Sequence, residues 1–312
     1  MRRTRPLAHI GIVGPGAVPV WELTGPQRTR ATLSRVSTPR SLPPAPGVRR
    51  SRIVTPGGSF AGLTAGPRRH PRGFVLLIPG FTGSKEDFAP LLPLLAAAGW
   101  LVAAYDQRGQ FETPGADDDT YALPELAADA RSVAEVVAPR GANRHVVGHS
   151  FGGLVAREAV LADPASWRSL VLLCSGPGRF DRDDMTRPLK ALVRLLDSAP
   201  LSTVHEAMRA HDRRRGKPVP PPEVAAFIRA RFVANAPASL AGMARLLTSA
   251  PDRVDELAAA GTLSLVVRGA DETPGRTRSK TTWRPGSARP SRSSRMPHTP
   301  PPSRTPTRLP GC

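Results

Sequence analysis

The stretch HVVGHSFGGLVAREAV, residues 145–160, decides how the rest of the chain is read. It begins as an apolar run, reaches a single serine held between Gly148 and Gly152 at one residue's remove, and continues from Phe151 with helical spacing. A strand running straight into a helix must turn sharply at Ser150, and glycines suit the turn because the backbones approach too closely for a Cβ. The turn lifts the serine hydroxyl into the open and points the amino end of the helix at any negative charge developing beside it. Ser150 is therefore the candidate nucleophile, and a nucleophilic serine requires a base to take its proton.

Runs of the same apolar kind recur: FVLLIPG at 74–80, LVAAYD at 101–106, LVLLCS at 170–175 and LSLVVRG at 263–269. They fall short of the ~18–20 residues of a membrane span. Unbroken apolarity suits the two-sided interior of a parallel sheet. Between them lie helical patterns. Ser84 and Asp87 form a capping-box signature ahead of Phe88, Leu91, Leu92 and Leu95, and Gly99 stops the pattern. A second helix over 124–137 aligns Leu126, Ala130, Val133 and Val137 on one face. SRIVTPGGSFAGLTAG, at 51–66, predicts an antiparallel edge hairpin turning at Gly57 and Gly58. The alternation predicts an α/β fold over residues 51–272, a doubly wound and mostly parallel sheet. Residues 179–261 interrupt it with helical segments such as RPLKALVRLLDS, an insertion placed to form a lid over a pocket.

The formal net charge of +19 is carried by the flanks. Residues 1–72 hold 13 Lys and Arg against Glu22 alone, and residues 273–312 hold 9 against no acid, leaving the centre nearly neutral. The flanks are rich in Pro, Arg, Ser and Thr and poor in aromatic residues for stacking on bases. Residues 1–50 and 273–312 are thus expected to be disordered, and no nucleic-acid partner is expected. Two cysteines, Cys174 and Cys312, make neither a disulfide framework nor a metal site and suit a reducing cytoplasm. The opening MRRTRPLAHIGIVGPGAVPVW lacks the small-residue cleavage site of a signal peptide. Its glycine cluster has no strand before it or helix after it, which sets aside dinucleotide binding; no cofactor is expected.

LLIPGFTGSKEDF (76–88), YDQRG (105–109), VVGHSFGG (146–153) and LVVRGAD (265–271) together make residues 52–271 resemble the α/β-hydrolase family, its esterases and lipases in particular. The resemblance implies an oxyanion hole made of two backbone N–H groups, those of Phe151 and Phe81, each contributing about 10² to 10³ in rate. It implies a catalytic acid after the strand that follows the lid, where Asp271 stands; Glu272 and Asp181 are the alternatives. It further implies a histidine base in the chain order Ser, Asp, His.

His298 fits that order. His149 sits in the elbow and cannot turn back onto Ser150, His145 begins a buried strand, His205 and His211 lie in the lid, and His9 and His70 come too early. The surroundings of His298, SRSSRMPHTPPPSRTP, nevertheless lack the helix, strand and helix that the family places there. Residues 273–312 hold five apolar residues and nine prolines. The tail reads like GC-rich coding sequence in a shifted frame, and translating its DNA in the other two frames should then give an apolar strand followed by a histidine. The expectation is a serine hydrolase acting on a carboxylic ester, thioester or similar small acyl compound. The alternative is a ligand-binding descendant whose base is lost, and without a last strand and helix the sheet edge is expected to be bare.

Overall fold

A computed structural model describes residues 10–13, 45–115 and 121–267. The apolar runs become β4 (Phe74–Ile78), β5 (Leu101–Tyr105), β6 (Arg144–His149), β7 (Ser169–Leu173) and β8 (Leu263–Val267), joined to β1 (Ile10–Val13), β2 (Arg49–Thr55) and β3 (Gly58–Ala65). These form one eight-stranded sheet in the order β1-β8-β7-β6-β4-β5-β3-β2. The stretch β5-β4-β6-β7-β8 is parallel. β3 pairs with β5 antiparallel, and β2 with β3. Thr55 opposes Gly58, so the hairpin turns at Pro56 and Gly57, one residue earlier than expected.

Every residue of β4 and β5 is buried, because both faces of the sheet are covered. Alternate side chains serve different cores, as the period of two in a strand requires. Phe74, Leu76 and Ile78 pack with Leu126, Ala130 and Val133 of α2 (Leu123–Val137) and with α3 (Phe151–Ala162). Val75 and Leu77 face the other way, against Phe88 and Leu92. The helix expected from Ser84 divides into a 3₁₀ turn, Lys85–Phe88, and a short α1, Leu92–Ala97. Pro90 and Pro93 explain the break, since neither offers an N–H to a continuing helix.

The insertion comprises α4 (Asp183–Leu196), α5 (Leu201–Arg214), α6 (Pro222–Val233), α7 (Pro237–Ser249) and α8 (Val254–Ala259). Leu192, Leu196, Leu201, Val204, Phe232 and Leu240 build a core of their own. Met243 and Leu247 of α7 instead join the sheet's core. The roots of the insertion are tied together where they meet α3. Arg157, 1% exposed, donates to the carbonyls of Pro177 and Pro251, and the N–H groups of Arg179 and Phe180 donate to Ala250 and Leu247.

One expectation is corrected at the far edge. Ile10–Val13, inside the amino-terminal stretch expected to be disordered, runs antiparallel to β8, so that edge is paired rather than bare. The physical reason is that an unpaired strand edge offers a row of N–H and C=O groups to any extended segment that can reach it. Residues 268–312 lie outside the described residues.

Candidate active site

Ser150 is the residue between β6 and α3, with φ 51° and ψ −116°. This region is unfavourable for a side chain carrying a Cβ and persists only where neighbours over-determine it. They do so at both backbone groups. The Ser150 N–H donates to Leu173 O at 2.9 Å, and its carbonyl accepts from Ser175 Oγ at 2.8 Å and Gly153 N at 2.9 Å. The glycines are enforced by close approach. A Cβ on Gly148 would stand 2.2 Å from Gly152 O, and one on Gly152 would stand 2.3 Å from Ile78 O. Gly153, outside the five-residue motif, is equally constrained, since its Cβ would meet Ser175 Oγ at 2.2 Å.

Phe151 occupies the first helical position of α3, where the N–H has no acceptor within the helix. The loop after β4 lies directly against Ser150: a Cβ on Gly80 would be 3.2 Å from Ser150 Cβ. Phe81 follows, half-buried, touching both the sheet's core and the core of the insertion. This loop is fastened by side chains from the turn after β5. Gln107 Nε2 donates to Pro79 O at 2.9 Å, and Gln110 Nε2 donates to Gly80 O at 3.0 Å. Both glutamines and Ser175 were missed in the sequence reading. The glutamines had a signal in YDQRGQ, whose polar residues follow directly on a buried strand.

A buried ionic cluster supports the same loop from behind. Asp106, at the end of β5, accepts from the Lys85 N–H and from Lys85 Nζ, both at 2.7 Å. Lys85 Nζ also reaches Glu86 at 3.0 Å and Glu112 at 2.7 Å. Burial pushes the Asp106 carboxyl up to about 7, against the pull of the Lys85 ammonium. Burial disfavours the Lys85 charge too, but Asp106 and Glu86 outweigh it and hold its pKa above the ordinary value. Beside this cluster, Arg231 of α6 reaches across from the insertion to Asp87 Oδ1 at 2.6 Å and Ser84 Oγ at 3.3 Å. The Asp87 carboxylate rests against Gly83, whose Cβ would meet it at 2.5 Å. Arg231 thus joins the insertion to the segment that carries Phe81.

His149 is buried at the end of β6 with its ring against Gly80, and burial pushes its pKa down to about 4. It is neutral near pH 7. His145 is engaged elsewhere, with Nδ1 2.7 Å from Ser169 Oγ and its ring edge-on to Trp100. His205 packs on Phe232. Among the described residues no histidine is hydrogen-bonded to Ser150. Asp181 is exposed in the loop before α4. Asp271, Glu272, His298 and His9 lie outside the described residues, so the structure brings together Ser150, Phe151 and the Phe81 loop but not the acid and the base. Among the described residues no group of three or more His, Cys, Asp and Glu is arranged to hold a metal, and no helix is long and apolar enough to cross a membrane.

The family model described as serine aminopeptidase, S33, matches residues 69–271. A monoacylglycerol lipase of Mycolicibacterium smegmatis is 28% identical over 208 residues, 66% of this chain and 72% of that protein. RutD of Variovorax paradoxus is 43% identical over 100 residues, 32% of this chain, and the match spans 36% of that relative's length. Among solved structures, a hydrolase from Pseudomonas aeruginosa aligns at TM-score 0.53 and 20% identity, covering 66% of this chain and 75% of the other. A structure from a study of carboxylesterases of Nitrososphaera gargenis aligns at 0.53 and 19%, covering 69% and 78%. These structural likenesses establish the α/β-hydrolase fold.

Two outcomes follow from this geometry. Because the folded pKa of His149 lies at about 4, below the ordinary 6.5, the native state binds fewer protons than the unfolded chain between those values. Its contribution is complete above pH 6.5 and is lost as pH falls towards 4. The urea midpoint of the wild type should therefore fall more steeply over that window than that of His149→Phe; parallel curves would refute the burial effect. Arg231→Gln leaves the Asp87 carboxylate without its guanidinium, which should lower stability by about 3 kcal/mol. It should also speed hydrogen exchange at the amides of residues 81–83, read by mass spectrometry; unchanged exchange there would deny Arg231 its hold on the loop.

Proposed function

The chain belongs to the serine aminopeptidase S33 family, and on that premise we propose that it is a serine hydrolase cleaving a carboxylic ester, thioester or similar acyl bond through an acyl-enzyme on Ser150. The single observation that carries this reading is the backbone of Ser150, held at φ 51° at the amino end of a buried helix with the Gly80–Phe81 loop against it. Strained backbone of this kind clusters at active sites, and here it coincides with a serine at the amino end of a helix, which supports a nucleophilic part for it.

In this reading His298 takes the proton from Ser150 Oγ as the oxygen bonds to the acyl carbon. Asp271 accepts the other imidazole N–H and favours the charged form of the ring. The carbonyl oxygen becomes an oxyanion and accepts from the N–H groups of Phe81 and Phe151. The bond to the leaving group then breaks, and His298 returns its proton to the departing oxygen or sulfur. Water attacks the acyl-enzyme, gives a proton to His298 and releases the acid, restoring Ser150. The helical insertion at 179–261 acts as the lid, on a hydrolase domain spanning 51–272. The flanks 1–50 and 273–312 stand outside the chemistry except for His298. A small acyl substrate, no nucleic-acid partner and a cytoplasmic setting complete the proposal. The likeness to a monoacylglycerol lipase supports an ester substrate.

A second reading, a ligand-binding protein that has lost its base, is favoured by one observation: none of the described histidines is hydrogen-bonded to Ser150. A fluorophosphonate probe applied to the intact chain separates the two. The hydrolase reading predicts labelling at Ser150 that is abolished in Ser150→Ala and slowed about 10³-fold or more in His298→Ala. Labelling undiminished in His298→Ala would remove that histidine as base. A wild-type chain that never labels would favour the ligand-binding reading.

A further inference from the structure

The helical insertion holds a cavity of about 310 Å³ lined from α5 by His205, Glu206, Arg209 and Arg213 and from α6 by Arg229 and two alanines. None of these residues belongs to the catalytic machinery proposed above. Three arginines line this cleft with one carboxylate, that of Glu206; Arg213 and Arg229 are exposed at its mouth. Arg209 shares Asp212, at 3.2 Å, with Lys217, which sits closer at 2.6 Å. The side chains of Arg213 and Arg229 form no ion pair or hydrogen bond among the described residues.

At the buried side of the cleft stands His205, 7% exposed. Its Nε2 is shielded from solvent and has no hydrogen-bond partner. Phe232 packs against the ring, with centroids 5.5 Å apart. Burial lowers the pKa of His205, and the charges of Arg209 and Arg229 lower it further. Glu206 opposes them, but the balance disfavours the imidazolium. A buried polar nitrogen without a partner is disfavoured, and so are like charges gathered against fewer counter-charges. One ligand resolves both.

We propose that this cleft binds a small dianion, a phosphate or dicarboxylate group, held by Arg209, Arg213 and Arg229 and accepting a hydrogen bond from His205 Nε2–H. Planar guanidinium forks match the paired oxygens of such groups. The cavity lies at the lower limit of the roughly 300–1,000 Å³ of small-molecule sites, which restricts the ligand to a small molecule. Glu206, on the same wall, disfavours a second anionic group beside the first.

The test is an NMR titration of the intact chain, following the His205 ring, assigned by its disappearance in His205→Gln. Inorganic phosphate and succinate are added separately while sodium chloride holds the ionic strength constant. A bound dianion favours the imidazolium, so the His205 signal should shift saturably and its titration midpoint should move up. Arg229→Ala should weaken binding roughly tenfold or more. A response to phosphate alone assigns a phosphomonoester, and a response to succinate alone a dicarboxylate. No saturable shift with either anion overturns the proposal. So does an equal response in Arg229→Ala and Arg209→Ala, or a shift that chloride reproduces, which would mean an adventitious ion only. Ser150→Ala should bind as the wild type does, so the outcome stands apart from the hydrolase reading.

Discussion

A serine backbone held at φ 51° is the constraint on which the rest of the structure depends. Such a conformation costs about 1–3 kcal/mol and survives only if its surroundings leave no relaxed alternative. Three sets of contacts supply that. The strand-to-helix turn is squeezed by Gly152 O, Ile78 O and Ser175 Oγ so closely that only glycine fits at 148, 152 and 153 respectively. Hydrogen bonds from both backbone groups of Ser150 reach β7 and the residues after it. α3 is buried from Phe151 to Val160, which anchors the far side of the turn. The sheet, the helix and the loop after β4 therefore meet at this point, and together they fix where the Ser150 hydroxyl stands.

The second dependence is electrostatic. The loop carrying Phe81 has almost no regular structure of its own, yet it is fixed by two glutamine amides and by a charged cluster whose members are mostly out of water. Buried ion pairs are poor sources of stability, because desolvation offsets most of the attraction. Their value here is geometric: Lys85 meets Asp106 through both its backbone and its ammonium, and Arg231 fixes Asp87 against Gly83. A hydrophobic replacement would fill the space without specifying where the loop stands.

The sheet was legible because its central strands are short, continuous apolar runs, and Ser150 because strand, glycine-flanked serine and helix follow one another without a gap. The split of the helix expected at Ser84 was less so, since Pro90 and Pro93 sit inside an otherwise regular pattern. Gln107, Gln110 and Ser175 escaped notice because each acts on a backbone carbonyl distant in sequence, which no local spacing encodes. The pairing of Ile10–Val13 with β8 was equally invisible: three apolar residues and a glycine amid prolines and arginines carry no sign of a partner some 250 positions away. Asp271 rests on its place after the apolar run at 263–267 and on the resemblance, and His298 on chain order.

The central claim is that Ser150 is aimed at an acyl group whose oxygen falls between the N–H groups of Phe81 and Phe151. A crystal structure of the chain inactivated with a phosphonate ester tests it directly, the phosphorus standing for the tetrahedral acyl carbon. The account predicts a covalent bond to Ser150 Oγ and a phosphoryl oxygen about 2.7–3.1 Å from both amide nitrogens. Phosphorus on another residue, or a phosphoryl oxygen turned away from both amides, would contradict it.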